Sequence, residues 1–107
     1  MYDSAKIKEL ILRRRRQILV HSVIYYRYNE NLISDHTWTK WAVELEALQK
    51  KYPKEAESTP WNREFKDFDH STGYNLPLED PWANCIARWL LEISTDYRGD
   101  VPKWMQN

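Results

Sequence analysis

The side chains best suited to chemistry in this chain are few and scattered. Three histidines (His21, His36, His70), one cysteine (Cys85) and two close acidic pairs (Glu44/Glu46, Asp67/Asp69) make up the inventory. A zinc site needs three or four convergent nitrogen or sulfur ligands. The histidines stand apart in sequence, so even the Asp35-His36 pair reads as ordinary structure. We expect histidines that face solvent or are satisfied in the core, and no bound metal. Cys85 lies between Trp82, Ile86 and Trp89, which predicts a buried, inert thiol. A single cysteine also rules out a disulfide framework within the chain. The acidic pairs read as solvated. Gly-rich phosphate loops, nucleophile elbows and metalloprotease strings are missing from the sequence.

Two segments could bind rather than react. From Trp61 to Tyr74, the polar residues Arg63, Lys66, Asp67, Asp69, His70, Ser71 and Thr72 are interleaved with four rings. Polar side chains on a loop pinned by aromatics suit a ligand or partner site. The plainer reading is an Ω-like loop folded over the core. Arg13, Arg14, Arg15 and Arg16 could meet nucleic-acid phosphates with help from neighbouring tyrosines. Four successive residues of a helix point all round it. Their plainer reading is a solvated surface with a few acidic partners.

Positioning these residues requires helices. A first helix is predicted from Ser4 to Tyr28, capped by Asp3 or Ser4. Ile7, Leu10, Ile11, Ile18 and Tyr25 recur at helical spacing, and Leu12, Leu19, Val23 and Tyr26 widen the apolar face. Ser34 is the next N-cap, with Asp35 in its first turn. The second helix fills 34–52, with Trp38, Trp41, Ala42, Leu45, Leu48 and Tyr52 on one side and Pro53 ending it. The short link between them predicts an antiparallel hairpin. Residues 53–80 read as a loop, with short helical turns around Trp61–Phe68. Asp80-Pro81 opens a third helix over 81–95, carrying Trp82, Ile86, Trp89, Leu90 and Ile93. Residues 96–107 read as a tail that Trp104 can dock. The expected fold is thus all-α: one domain of an antiparallel hairpin plus a third helix packed through an aromatic-rich loop.

Composition supports a packed core. Of 107 residues, 42% are hydrophobic, and six Trp, seven Tyr and two Phe supply large rings. Acidic and basic side chains balance at 16 each, so no global field draws the protein to nucleic acid. Lys6, Lys8 and Glu9 interrupt any leader-like apolar run, and no stretch approaches the length of a membrane span. A cytoplasmic protein with no membrane partner is expected.

The stretch Tyr25-Tyr26-Arg27-Tyr28-Asn29-Glu30-Asn31-Leu32-Ile33-Ser34-Asp35-His36-Thr37-Trp38 continues through Glu44-Leu45-Glu46-Ala47-Leu48 to Tyr52-Pro53. It resembles the N-terminal Ia domain of bacterial NAD-dependent DNA ligases, over roughly residues 5–60. That family carries a Tyr-Tyr or Tyr-His pair ending helix one. An Ile-Ser-Asp turn, an aromatic-Asp pair, Glu-Leu, Leu-Glu and a closing Pro follow. The resemblance implies a fold that closes over the nicotinamide mononucleotide half of NAD. It matches Tyr25 and Tyr26 to the ring pair, and Asp35 to the acidic residue of the turn. Trp38 stands where the family has Tyr, keeping a stacking surface without the hydroxyl. Thr39 stands where it has a second Asp, losing a carboxylate.

Ligation itself is not implied. The family's adenylated lysine lies in a Lys-x-Asp-Gly motif of a much larger domain. In Lys66-Asp67-Phe68-Asp69-His70 the acid falls one place late and His70 replaces Gly. The expectation is therefore a non-enzymatic, stand-alone module of phage or mobile-element type. Its first expected ligand is a protein partner, for example a host-defence nuclease or NAD-consuming effector that it inhibits. NAD or nicotinamide mononucleotide comes second and nucleic acid third.

Overall fold

A computed structural model describes residues 3–96 of the chain. Among the described residues the fold is all-α, with five helices and no strand: α1 (Ser4–Tyr28), α2 (Asp35–Lys51), α3 (Pro53–Glu57), α4 (Asn62–Phe65) and α5 (Pro81–Asp96). The expected tail, and Trp104 docking it, lie outside the described residues. None of the helices is long and apolar enough to cross a membrane, among the residues described.

The caps explain where the helices start and stop. Asp3 is the cap of α1; its Oδ1 accepts from the amides of Ala5 (2.9 Å) and Lys6 (3.4 Å). Asn29 closes α1 in the left-handed region, at φ 54°, where its amide donates to the Ile24 carbonyl. Ser34 Oγ accepts from the Thr37 amide at 3.1 Å to start α2. Asp80 Oδ2 accepts from the Ala83 amide at 2.9 Å, ahead of Pro81 at the first position of α5.

Pro53 ends α2 and also opens α3, so the segment expected as a loop begins with two short helices. Between them Trp61 takes φ 74°, a costly conformation for a bulky residue. Its ring meets Trp82 of α5 at 5.8 Å between centroids.

Contacts between α1 and α2 run in opposite senses along the two helices. Ser22 meets Trp38 near one end, while Arg14 meets Glu44 and Arg15 meets Gln49 nearer the other. That is a hairpin-like packing. α5 and α3 cover other sides of α1, so α1 is buried nearly all round from Gln17 to Ile24. Its Ile11, Ile18, Leu19, Val20, Val23 and Ile24 form the centre of the core. Trp41, Ala42 and Leu45 face them from α2, and Ala83, Ala87 and Leu90 from α5. Removing this much apolar surface from water is the main force holding the helices together.

The buried face of α5 differs from the one expected. Ala83 and Ala87 lie fully buried, whereas Trp89 is partly exposed. Small alanines let α5 approach α1 closely, and that choice turns Cys85 outward. Cys85 is exposed, which corrects the expectation of a buried thiol.

The arginine run is corrected more sharply. Arg14 and Arg15 are buried and cannot present a phosphate-binding surface. Arg14 bonds Glu44 at 2.9 Å and Gln17 at 2.6 Å, with its guanidinium over the Trp41 ring. Arg15 is 0% exposed. It donates to Gln49 Oε1 at 2.9 Å and to the carbonyls of Thr59 (2.9 Å), Pro60 (2.9 Å) and Ala56 (3.1 Å). It therefore ties the turn after α3 to α1. Arg16, half-buried, lies over the Trp82 ring, and Arg13 pairs with Glu9 at 3.2 Å. Tertiary packing, rather than solvent, absorbs most of this charge.

Candidate functional site

One cavity of about 250 Å³ opens where the ends of the hairpin meet the polar loop. The exit of α1 contributes His21, Ser22, Tyr25 and Tyr26, and the connection contributes residues 30–33. Asp35, Trp38 and Thr39 come from the first turns of α2; His70, Ser71 and Thr72 come from the loop. All five residues that the ligase resemblance singles out (Tyr25, Tyr26, Asp35, Trp38, Thr39) thus line one cavity. Helical geometry accounts for the grouping: Tyr25 and Tyr26 sit at the last turn of α1, and Trp38 and Thr39 one turn beyond Asp35 in α2.

Its rings are not all core, as an apolar hairpin alone would require. Trp41 is buried and Trp38 half-buried, but Tyr25 is 51% and Tyr26 38% exposed. The two tyrosines meet edge to face at 4.9 Å, and Tyr26 meets the exposed Tyr74 at 5.4 Å. A ladder of phenol rings therefore borders the opening. Both cavity tyrosines thus keep more than a third of their surface exposed while touching one another.

The loop wall is fastened on three sides. Glu46 of α2 accepts from the His70 amide (2.8 Å), pairs with His70 Nδ1 (3.0 Å) and binds Lys50 (3.0 Å). Hydrogen bonding to His70, then to Lys50, pulls the Glu46 carboxyl down to about 2. Glu44 and Glu46 were expected to be solvated; each is instead used to hold another element. Tyr26 Oη and Thr72 Oγ1 share a hydrogen bond at 3.0 Å. Asp69 turns back to accept from the amide and hydroxyl of Ser71, which lowers its pKa. Phe68 packs edge-on to Trp38 and against Phe65.

Gly73 is buried and closes the third side. A Cβ there would overlap Ser22 Oγ, with Ser22 Cβ at 3.0 Å and Trp38 Cζ2 at 3.2 Å. Ser22 Oγ already accepts from Trp38 Nε1 at 3.3 Å. Gly73→Ala is expected to displace the loop and cost about 1–3 kcal/mol, the usual penalty for overpacking. Denaturant titration checks it; adding Ser22→Ala should recover part of the loss, as a double-mutant cycle would register.

His21 occupies the inner wall. It is 7% exposed, its ring tilts against Trp41 at 5.8 Å, and its buried Nδ1 has no hydrogen-bond partner. Burial lowers its pKa to about 4, so the ring is neutral at physiological pH. Residue-by-residue reading overlooked His21 and Ser22 as cavity residues. They stand four places before Tyr25 and Tyr26, so helical spacing was the available signal.

Other expected binding residues fall elsewhere. Arg63 is exposed beside Glu64, and with Asp69 it borders a second cavity of about 290 Å³. Trp61 is half-buried against Trp82. The loop residues singled out together are therefore divided: His70 faces the main cavity, while Arg63 and Asp69 face the second. Among the described residues, no group of three or more His, Cys, Asp or Glu could hold a metal ion. No family model, curated protein or solved structure matches the chain.

Proposed function

We propose that the chain is a ligase-Ia-like binding module whose cavity takes a nicotinamide nucleotide. The observation that carries this reading is the convergence of Tyr25, Tyr26, Asp35, Trp38 and Thr39 on one cavity. Exposed phenol rings offer faces for a planar heterocycle, and the Trp38 indole substitutes for a tyrosine as a stacking surface. Asp35 and Thr39 supply acceptors for ribose or amide hydrogens. In this reading residues 53–80 serve as the strap through which α5 joins the hairpin, and their tip at 70–72 walls the ligand in. The activity is binding, not ligation.

Calorimetry with nicotinamide mononucleotide tests the proposal. One-to-one binding is expected, weakened at least about tenfold by Asp35→Ala or by Tyr25→Ala, as loss of a charged or stacking contact requires. Neither side chain is in the core, so both variants should keep the parent's melting temperature. Absence of heat with the parent protein contradicts the reading.

A second reading, a protein partner, draws on the exposed ladder of Tyr25, Tyr26 and Tyr74. Tyrosine is favoured at interface centres because it couples area with a polar tip. If a partner sits there, saturating nicotinamide mononucleotide should compete with it, since ladder and cavity share two residues.

A further inference from the structure

The charges around the cavity bear on which form of ligand it accepts. Two carboxylates line it, Glu30 from the connection and Asp35 from α2. No lysine or arginine does, among the described residues. Arg27, the cationic residue next to Tyr26, donates instead to Asn84 Oδ1 at 3.0 Å, away on α5. His70 is paired with Glu46. At the N-terminus of α2, a place where phosphate commonly binds, Ser34 Oγ takes the Thr37 amide and the Asp35 carboxylate occupies the first turn, setting negative charge there. The inner wall adds His21 and Ser22, both buried; the His21 Nδ1 is covered and has no hydrogen-bond partner.

These observations describe a cup with negative charge at its rim, π faces at its mouth and a polar inner wall. A cationic ring is favoured by the carboxylates through Coulomb attraction and by the tyrosine faces through their quadrupoles. A phosphate dianion meets like charge and finds no lysine or arginine among the lining residues. We propose that the cavity selects an oxidised pyridinium nucleoside, recognising the cationic nicotinamide ring and its ribose while making no favourable use of the 5′-phosphate. This rests on the nicotinamide reading above and narrows it to nicotinamide riboside as the minimal ligand. The ring's carboxamide is directed to the inner wall, where the His21 imidazole and the Ser22 hydroxyl lie; a neutral imidazole has one donor and one acceptor nitrogen.

Calorimetry at low ionic strength with three probes tests this: nicotinamide riboside, nicotinamide mononucleotide and 1,4-dihydronicotinamide riboside. The riboside is expected to bind at least as tightly as the mononucleotide. Any deficit of the mononucleotide should shrink as salt rises, because screening weakens its repulsion from Glu30 and Asp35. The reduced riboside, a neutral ring of nearly the same shape, should bind at least about tenfold more weakly. Glu30→Gln should reduce the preference for the oxidised over the reduced riboside without lowering the melting temperature, since Glu30 is exposed in the connection. Tighter binding of the mononucleotide than of the riboside, or equal binding of oxidised and reduced ribosides, overturns the inference and leaves the nicotinamide reading standing. Failure of all three probes to bind overturns that reading, and the inference with it.

Discussion

Arg15→Ala is expected to lower the unfolding free energy by about 2–5 kcal/mol, the range for a large-to-small change in the core that also strands buried acceptors. A domain of this size typically has only about 5–15 kcal/mol to lose, so the variant should be largely unfolded at moderate temperature. Arg15 is fully buried and donates to Gln49 and to three backbone carbonyls between Ala56 and Pro60. Alanine would strand those acceptors and leave a void where the guanidinium stood. Desolvation lowers the Arg15 pKa to about 10, with Glu64 acting in the opposite sense, so the group is still charged at neutral pH. Arg13→Ala makes the contrast. Its ion pair with Glu9 is exposed and one helical turn away, and its loss should change stability by less than about 1 kcal/mol. Urea unfolding followed by circular dichroism measures both; similar midpoints would show that these two arginines are equivalent and that the buried clamp contributes nothing.

The second large effect belongs to pH. His21 has its pKa lowered by burial from 6.5 to about 4. Between those values the unfolded chain binds a proton that the folded chain refuses, so stability rises with pH across the window. Full stability is present above about 6.5 and is lost as pH falls toward 4. A shift of this size corresponds to roughly 3 kcal/mol. Glu46 acts in a lower window. Its pKa is depressed from 4.5 to about 2, so its contribution is present above 4.5 and lost on descent through 2. Acid unfolding should therefore show two limbs, and His21→Asn should flatten the upper one whatever it does to stability at neutral pH. An unchanged slope between pH 6.5 and 4 in that variant would mean that His21 titrates as if exposed.

The three long helices were legible because their signals are local. Asp3, Ser34 and Asp80-Pro81 are caps whose chemistry acts within three residues, and they mark the starts of α1, α2 and α5. The spacing of Trp38, Trp41, Ala42 and Leu45 likewise reports one face of one helix. What lay beyond reach depends on packing among several elements. Arg14 and Arg15 look like surface residues until α2 and the turn at 56–60 are set against α1. Spacing along the third helix set Trp89 on the apolar face, and its neighbours made Cys85 look buried. Close helix approach instead favoured Ala83 and Ala87, and rotated both outward. Gly73 is similar: its need to be glycine comes from Ser22 and Trp38, about fifty and thirty-five positions away in sequence.

The site shows the same division. Resemblance over the hairpin picked out residues on α1 and α2, and these border a common cavity. The third wall, at 70–72, comes from a loop whose path depends on long-range fastening by Glu46, Tyr26 and Gly73. His21 was read with the other histidines as solvent-facing or satisfied in the core, since an isolated histidine on an apolar helix face is ordinarily core. Only its unpartnered nitrogen beside a cavity sets it apart.

Nitrogen-15 NMR of the parent protein titrated with nicotinamide mononucleotide tests the central claim most directly. Saturable shifts are expected at the amides of Tyr25, Tyr26, Asp35, Trp38 and 70–72 and at the Trp38 indole, while Trp82, Cys85 and the second cavity around Arg63 stay unshifted. Spectra unchanged at millimolar ligand, or shifts gathered anywhere but around this cavity, would contradict the account.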